Sequence, residues 1–139
     1  MKSKAPLSLM EQLVMLLVFA LAAALCLQVF VFSAQTSRWC ASRDCAVTQV
    51  QNAAELLKAN HGDLSLCAAQ LGGTADDQRW EIPYDENWNI SETDADYQLI
   101  ITPLPTEHAT LGSAEILAQT DAGEALFGVT VSWQEVHGE

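Results

Sequence analysis

LSLMEQLVMLLVFALAAALCLQVFVFSAQTSRWCASRDCAVTQVQNAAELLKANH, residues Leu7 to His61, contains neither Gly nor Pro. Those two residues cost a helix interior the most, so nothing in this stretch stops a helix once it has started. It reads as one long rod, which at 1.5 Å per residue extends for about 75 to 80 Å. Its ends carry their own signals. Pro6 precedes it, Ser8 and Glu11 have the spacing of an S-x-x-E capping box, and Asn60-His61-Gly62 supplies a C-terminal stop. A small domain cannot bury a helix of that length.

The two halves of the rod differ in character. From Leu13 to Phe32 every residue except Gln28 is apolar, and roughly 20 such residues are what a helix needs to cross the hydrocarbon of a bilayer. After Ser33 polar residues return, and Val47, Val50, Ala54 and Leu57 recur at helical spacing among Gln, Asn, Glu and Lys. One apolar stripe on an otherwise polar helix is the pattern of an element packed against a soluble domain. The chain therefore divides into a cytoplasmic leader (1-6), a transmembrane helix (7-32) and an extracytoplasmic domain (33-139).

Beyond Gly62, DLSLCAAQLGG predicts a short second helix with Asp63 as N-cap, Leu64, Cys67, Ala68 and Leu71 on one face, and Gly72 as terminator. Thr74 to Gln78 is a polar connection. From Arg79 the period changes to alternation. Trp80, Ile82 and Tyr84 share one side of a strand that Pro83 marks as an edge, with Trp88 and Ile90 as a short extension. Tyr97 to Thr102 is a second strand, closed by Pro103 and Pro105, and Ser113 to Gln119 is a third. Thr120 to Gly123 reads as a hairpin turn, and the last strand sets Phe127, Val129, Val131 and Trp133 against Gly128, Thr130 and Ser132. The fold class is α+β: a long N-terminal helix with a transmembrane and an amphipathic half, a short second helix, and a small C-terminal antiparallel sheet packed on the long helix.

The chain has 139 residues and a formal net charge of -12. With the apolar segment committed to lipid, about a hundred residues remain, enough for one small domain. Two of the six basic residues, Lys2 and Lys4, precede the apolar run, which leaves the remainder more acidic still. Such a surface is repelled by phosphate backbones and anionic lipid head groups, so nucleic-acid binding is excluded. The same two lysines, with no acid before Glu11, keep the N-terminus cytoplasmic by the positive-inside rule, with Arg38 and Arg43 acting in the opposite sense. A cleaved secretory signal is the competing reading. Signal cores usually run about 7 to 15 residues, and Val31, Ser33 and Ala34 match the small-x-small cleavage pattern poorly, which favours retention in the membrane.

Chemistry is sparse. Cys26 lies in the apolar run, and Cys40, Cys45 and Cys67 are too few and too odd in number for a disulfide framework. They read as small buried hydrophobes, with a Cys40 to Cys45 bridge in a locally unwound segment as the rival. No Cys/His set has zinc spacing, and neither a nucleophile motif, a metalloprotease motif nor a phosphate-binding loop occurs around His61, His108 or His137. No enzyme and no cofactor is expected. Asp85, Glu86, Glu92, Asp94 and Asp96 form an acidic run without the Gly and closing Glu of a calcium loop, and they read as solvated loop charge. Glu11 has two readings: a capping residue that holds the Ser8 amide, or a carboxylate at the edge of the apolar run that awaits a cation from another chain.

The stretch LSLMEQLVMLLVFALAAALCLQVFVFS, with basic residues before it and an amphipathic continuation behind it, resembles the N-terminal segment of type IV pilins and of the pseudopilins of type II secretion and competence systems. YDENWNISETDADYQLIIT and LFGVTVSW look like the later part of small Gram-positive pilin-like proteins. The resemblance aligns Leu7-Ser8-Leu9-Met10-Glu11 with the family's F-T-L-I-E-like signature and makes Glu11 its assembly glutamate. It implies cleavage between Pro6 and Leu7, methylation of the Leu7 amine, and pairing of that amine with Glu11 of a neighbouring subunit. Family members carry Gly before the cleaved bond, whereas this chain has Ala5-Pro6, a poor site for the processing peptidase. An unprocessed chain implies an anchoring or priming subunit. The implied partners are other pilin-like subunits and the membrane, and the implied location is the cell membrane or a surface filament. The alternative is a single-pass, membrane-anchored binding module that does not polymerise.

Overall fold

The computed structural model describes residues Lys4 to Glu135. Lys2, on which the predicted orientation partly rests, and His137 lie outside them. The fold is α+β, as expected. Helix α1 (Ala5–Ala59) is followed by α2 (Leu64–Leu71) and by strands β1 (Thr74–Ala75), β2 (Trp80–Tyr84), β3 (Tyr97–Leu104), β4 (Leu111–Thr120) and β5 (Ala125–Gln134). The strands form one antiparallel sheet in the order β1-β2-β3-β4-β5. Contacts divide the chain into two units, one ending at Cys40 and the other beginning at Ala41.

In the first unit α1 begins at Ala5, before the expected cap. The Ser8 amide donates to the Lys4 carbonyl, so Ser8 is already inside the helix and the Ser8–Glu11 capping box does not form. The reason lies in Pro6: its fixed φ suits a first turn, and the N–H it lacks is one that a helix start leaves unpaired anyway. Just past the apolar run the Thr36 hydroxyl donates back to the Phe32 carbonyl at 2.9 Å.

The second unit holds the core. Ala46, Val50, Ala53, Ala54 and Leu57 are the buried residues of α1. They pack with Leu64 and Cys67 of α2 and with one face of the sheet: Trp80, Ile82, Tyr84, Leu99, Ile101, Ala114, Ile116, Ala118 and Val131. Val47, expected on the stripe, is only half-buried, while Ala46 and Ala53 take its place at the centre. Two polar ties join the helix to the sheet, Tyr97 to Ser42 at 3.1 Å and the Tyr84 hydroxyl to Gln49 at 3.4 Å. Tyr97 is stacked on Trp88 with ring centroids 4.4 Å apart.

The turn from α1 into α2 follows the sequence. Gly62 has φ of 82° and its amide closes back on the Leu57 carbonyl, the left-handed stop that only Gly adopts without strain. A side chain there would also strike the ring of Trp133. Asp63 caps α2, accepting from the amides of Ser65 and Leu66 at 3.0 and 3.1 Å. Gly72 ends α2, and its carbonyl accepts from the Trp80 indole at 2.9 Å.

Several strand details differ from expectation. β3 runs through Pro103 to Leu104 instead of closing at Thr102, because β2 pairing ends at Trp80 with Ile101 and Pro103 has a strand on one side only. β2 is not an edge along its whole length: β1 pairs with Trp80 and Glu81, whereas at Pro83 that flank is open and its carbonyl accepts from Ser91 instead. Ile90 does form a bridge to Tyr84. In β5 a register shift opposite Ala118 and Gln119 inserts Leu126 as an extra residue and buries it, while Val129, expected inside, is 36% exposed. Cys40 and Cys45 are exposed and unbridged, so the expected burial holds for Cys67 alone.

Candidate functional site

The apolar segment is the feature that the rest of the chain leaves unexplained. From Lys4 to Ala41 every side chain is exposed, Leu7 at 76% and Phe30 at 73% among them. Burying a single Leu, Val, Phe or Met side chain is worth about 1.5 to 3 kcal/mol, so a surface of this kind demands a cover. Between Leu13 and Phe32 Gln28 is the one polar residue. Glu11 and Gln28 are separated by 17 positions, about 100° apart around a helix, which leaves no polar stripe for water. Among the described residues α1 is the one helix long and apolar enough to cross a membrane.

Pro6, Leu7 and Glu11 all sit in the first turns of α1, and all are exposed. With the capping box absent, the Glu11 carboxylate has no task at the Ser8 amide. Leu7 and Glu11 are four residues apart and so lie on one face of the helix.

The other sequence candidates do not gather. His61 follows the end of α1 and is exposed, and His108 lies in the exposed loop between β3 and β4. Among the described residues no group of three His, Cys, Asp or Glu side chains is placed to hold a metal. Within the acidic run Asp85 is turned onto its own loop, accepting from the amides of Asn87 and Asn89 at 2.8 and 2.9 Å, and the Asn89 amide foremost holds its carboxyl below the usual range. Burial raises the Cys67 thiol, which marks it as an inert core group, and pushes the Tyr84 phenol up to about 12.

These features define a class: an α+β domain built on the second half of a helix whose first half carries the apolar run Leu13 to Phe32. Comparison of the chain with known protein families, with curated proteins and with solved structures finds no match in any of the three.

Proposed function

We propose that this chain is a non-enzymatic, pilin-like subunit: the first half of α1 holds it in the membrane, N-terminus in the cytoplasm, and the same surface later packs against other subunits in a filament or at its base. The observation that carries this reading is the unbroken α1, exposed and apolar through its first half and buried as a stripe under the sheet in its second. A helix that is apolar all round suits lipid and a bundle of like helices equally. Packing of such surfaces is non-directional, so in a chain cleaved after Pro6 a buried pair between Glu11 and the freed Leu7 amine of a neighbour would set the register, the best attested use of a buried ionic group. The Ala5-Pro6 sequence favours an unprocessed, priming position over a place along the fibre.

Mass spectrometry of the native protein reads the first residue directly. Retention of the leader is expected; a chain that begins beyond Ala34 would remove the membrane helix and the proposal with it. Disulfide cross-linking through cysteines engineered between Leu13 and Phe32 is expected to give a ladder of multimers. Glu11→Ala is expected to leave membrane insertion intact and, where the leader proves to be removed, to reduce the ladder at least about tenfold, the loss set by the unpaired Leu7 amine of the neighbour. A monomer with no ladder would instead identify a tethered binding module.

A further inference from the structure

Among the described residues the sheet has one long open edge. Of its two outer strands β1 is two residues long, whereas β5 has ten and pairs with β4 alone. Natural edge strands of that length are usually blunted by lysine, proline or a charge turned inward. ALFGVTVSWQ has none of these, in a chain with 18 acidic residues. Its bulge at Leu126 lies next to the turn and leaves Phe127 to Gln134 in regular register. Beside the strand a groove of about 400 Å³ is lined by Val50 and Ala54 of α1 and by Phe127, Val129 and Val131, with Glu55 and Lys58 on the same helix.

Charge selects the occupant. Asp121 and Glu124 stand just before β5 and Glu135 just after it. A second copy paired antiparallel would set Glu135 of one chain against Glu124 of the other at both ends, like charges face to face. We propose that β5 and its groove bind an extended segment of a different protein, aliphatic at alternate central positions and basic at both ends, added to the sheet as a further strand. Main-chain hydrogen bonds along β5 supply affinity, every second side chain of the guest enters the groove, and the acids at the two ends fix the basic termini. The surface lies entirely after Ala41, so it needs neither membrane nor filament and stands or falls apart from the assembly role.

The test uses the full chain in detergent micelles and a labelled synthetic peptide of alternating Val and Thr with lysines at each end. Binding is expected to slow amide exchange within Ala125–Gln134, and Thr130→Lys, at an exposed position of β5, is expected to weaken it at least about tenfold while the thermal melt is kept. Val129→Lys, at the groove, provides the same reading should the first variant misfold. The same peptide ended by glutamates is expected not to bind. Equal binding of both peptides, protection outside β5, no binding at all, or edge amides already protected in proportion to protein concentration by a second copy would each overturn the proposal.

Discussion

α1 carries two surfaces on one helix. From its start to Ala41 it is the more apolar half and buries nothing; between Ala46 and Leu57 it is the more polar half and contributes five residues to the core. Burial therefore follows from period and partner, not from hydrophobic content. Among the described residues no side chain of the first half is buried, and its apolar run from Leu13 to Phe32 has no polar face. The second half spaces Ala46, Val50, Ala53, Ala54 and Leu57 along one stripe, and the sheet supplies the matching face.

The largest effect is expected where that stripe is tightest. Val50 is fully buried between helix and sheet, so Val50→Asp strands a charge with no partner and is expected to cost the head about 2 to 5 kcal/mol, read by thermal or denaturant unfolding. An unchanged melt would break the comparison, because it would mean that the stripe is not what holds the sheet. The matched change in the other half, Ala22→Asp, has the opposite signature. At the centre of a spanning helix an aspartate costs roughly 2.5 to 3.5 kcal/mol of insertion, so membrane association is expected to fall while the head melts as before. A head destabilised by Ala22→Asp would show that the two halves do not act separately.

Much of this division was readable in the chain. Continuous apolar residues from Leu13 to Phe32 and the later 3.6-residue period belong to the helix alone, and the alternation of Trp80, Ile82 and Tyr84 belongs to a single strand. What escaped depends on neighbours that periodicity does not name. Pro103 looked like a strand stop because a proline lacks a donor, yet the end of β2 pairing makes that donor unnecessary. Leu126 is buried by a bulge whose cause is the β4 register. Ser8 and Glu11 have capping spacing, but Pro6 starts the helix a turn earlier. The open edge at β5 follows from the order of strands, which alternation within each strand leaves undetermined. Glu11 and Leu7 were singled out from position and motif alone, and the groove between Val50 and Val129 was not, since it exists only once helix and sheet are together.

The comparison sharpens at the point where the packed half of α1 ends and α2 is capped. Asp63 accepts the Ser65 hydroxyl at 2.6 Å together with the amides of Ser65 and Leu66, and these bonds, the Ser65 hydroxyl foremost, hold its carboxyl below the ordinary value. A lowered folded pKa means that the unfolded chain takes up a proton first as the solution is acidified. The contribution is complete above the unfolded value of about 4 and is lost as pH falls through the folded one. Asn at this position keeps an oxygen for the amides but has no charge to lose. The melting midpoint of Asp63→Asn is therefore expected to lie slightly below that of the parent at neutral pH and to meet it under acid conditions. Asp85, lowered chiefly by the Asn89 amide, has the same sign, so part of the acid slope must survive in the variant. A slope untouched by Asp63→Asn would assign the acid sensitivity to the Asp85 loop alone, and the junction between α1 and α2 would then be held by Gly62 and the packing of Leu57, Leu64 and Cys67 without help from the cap charge.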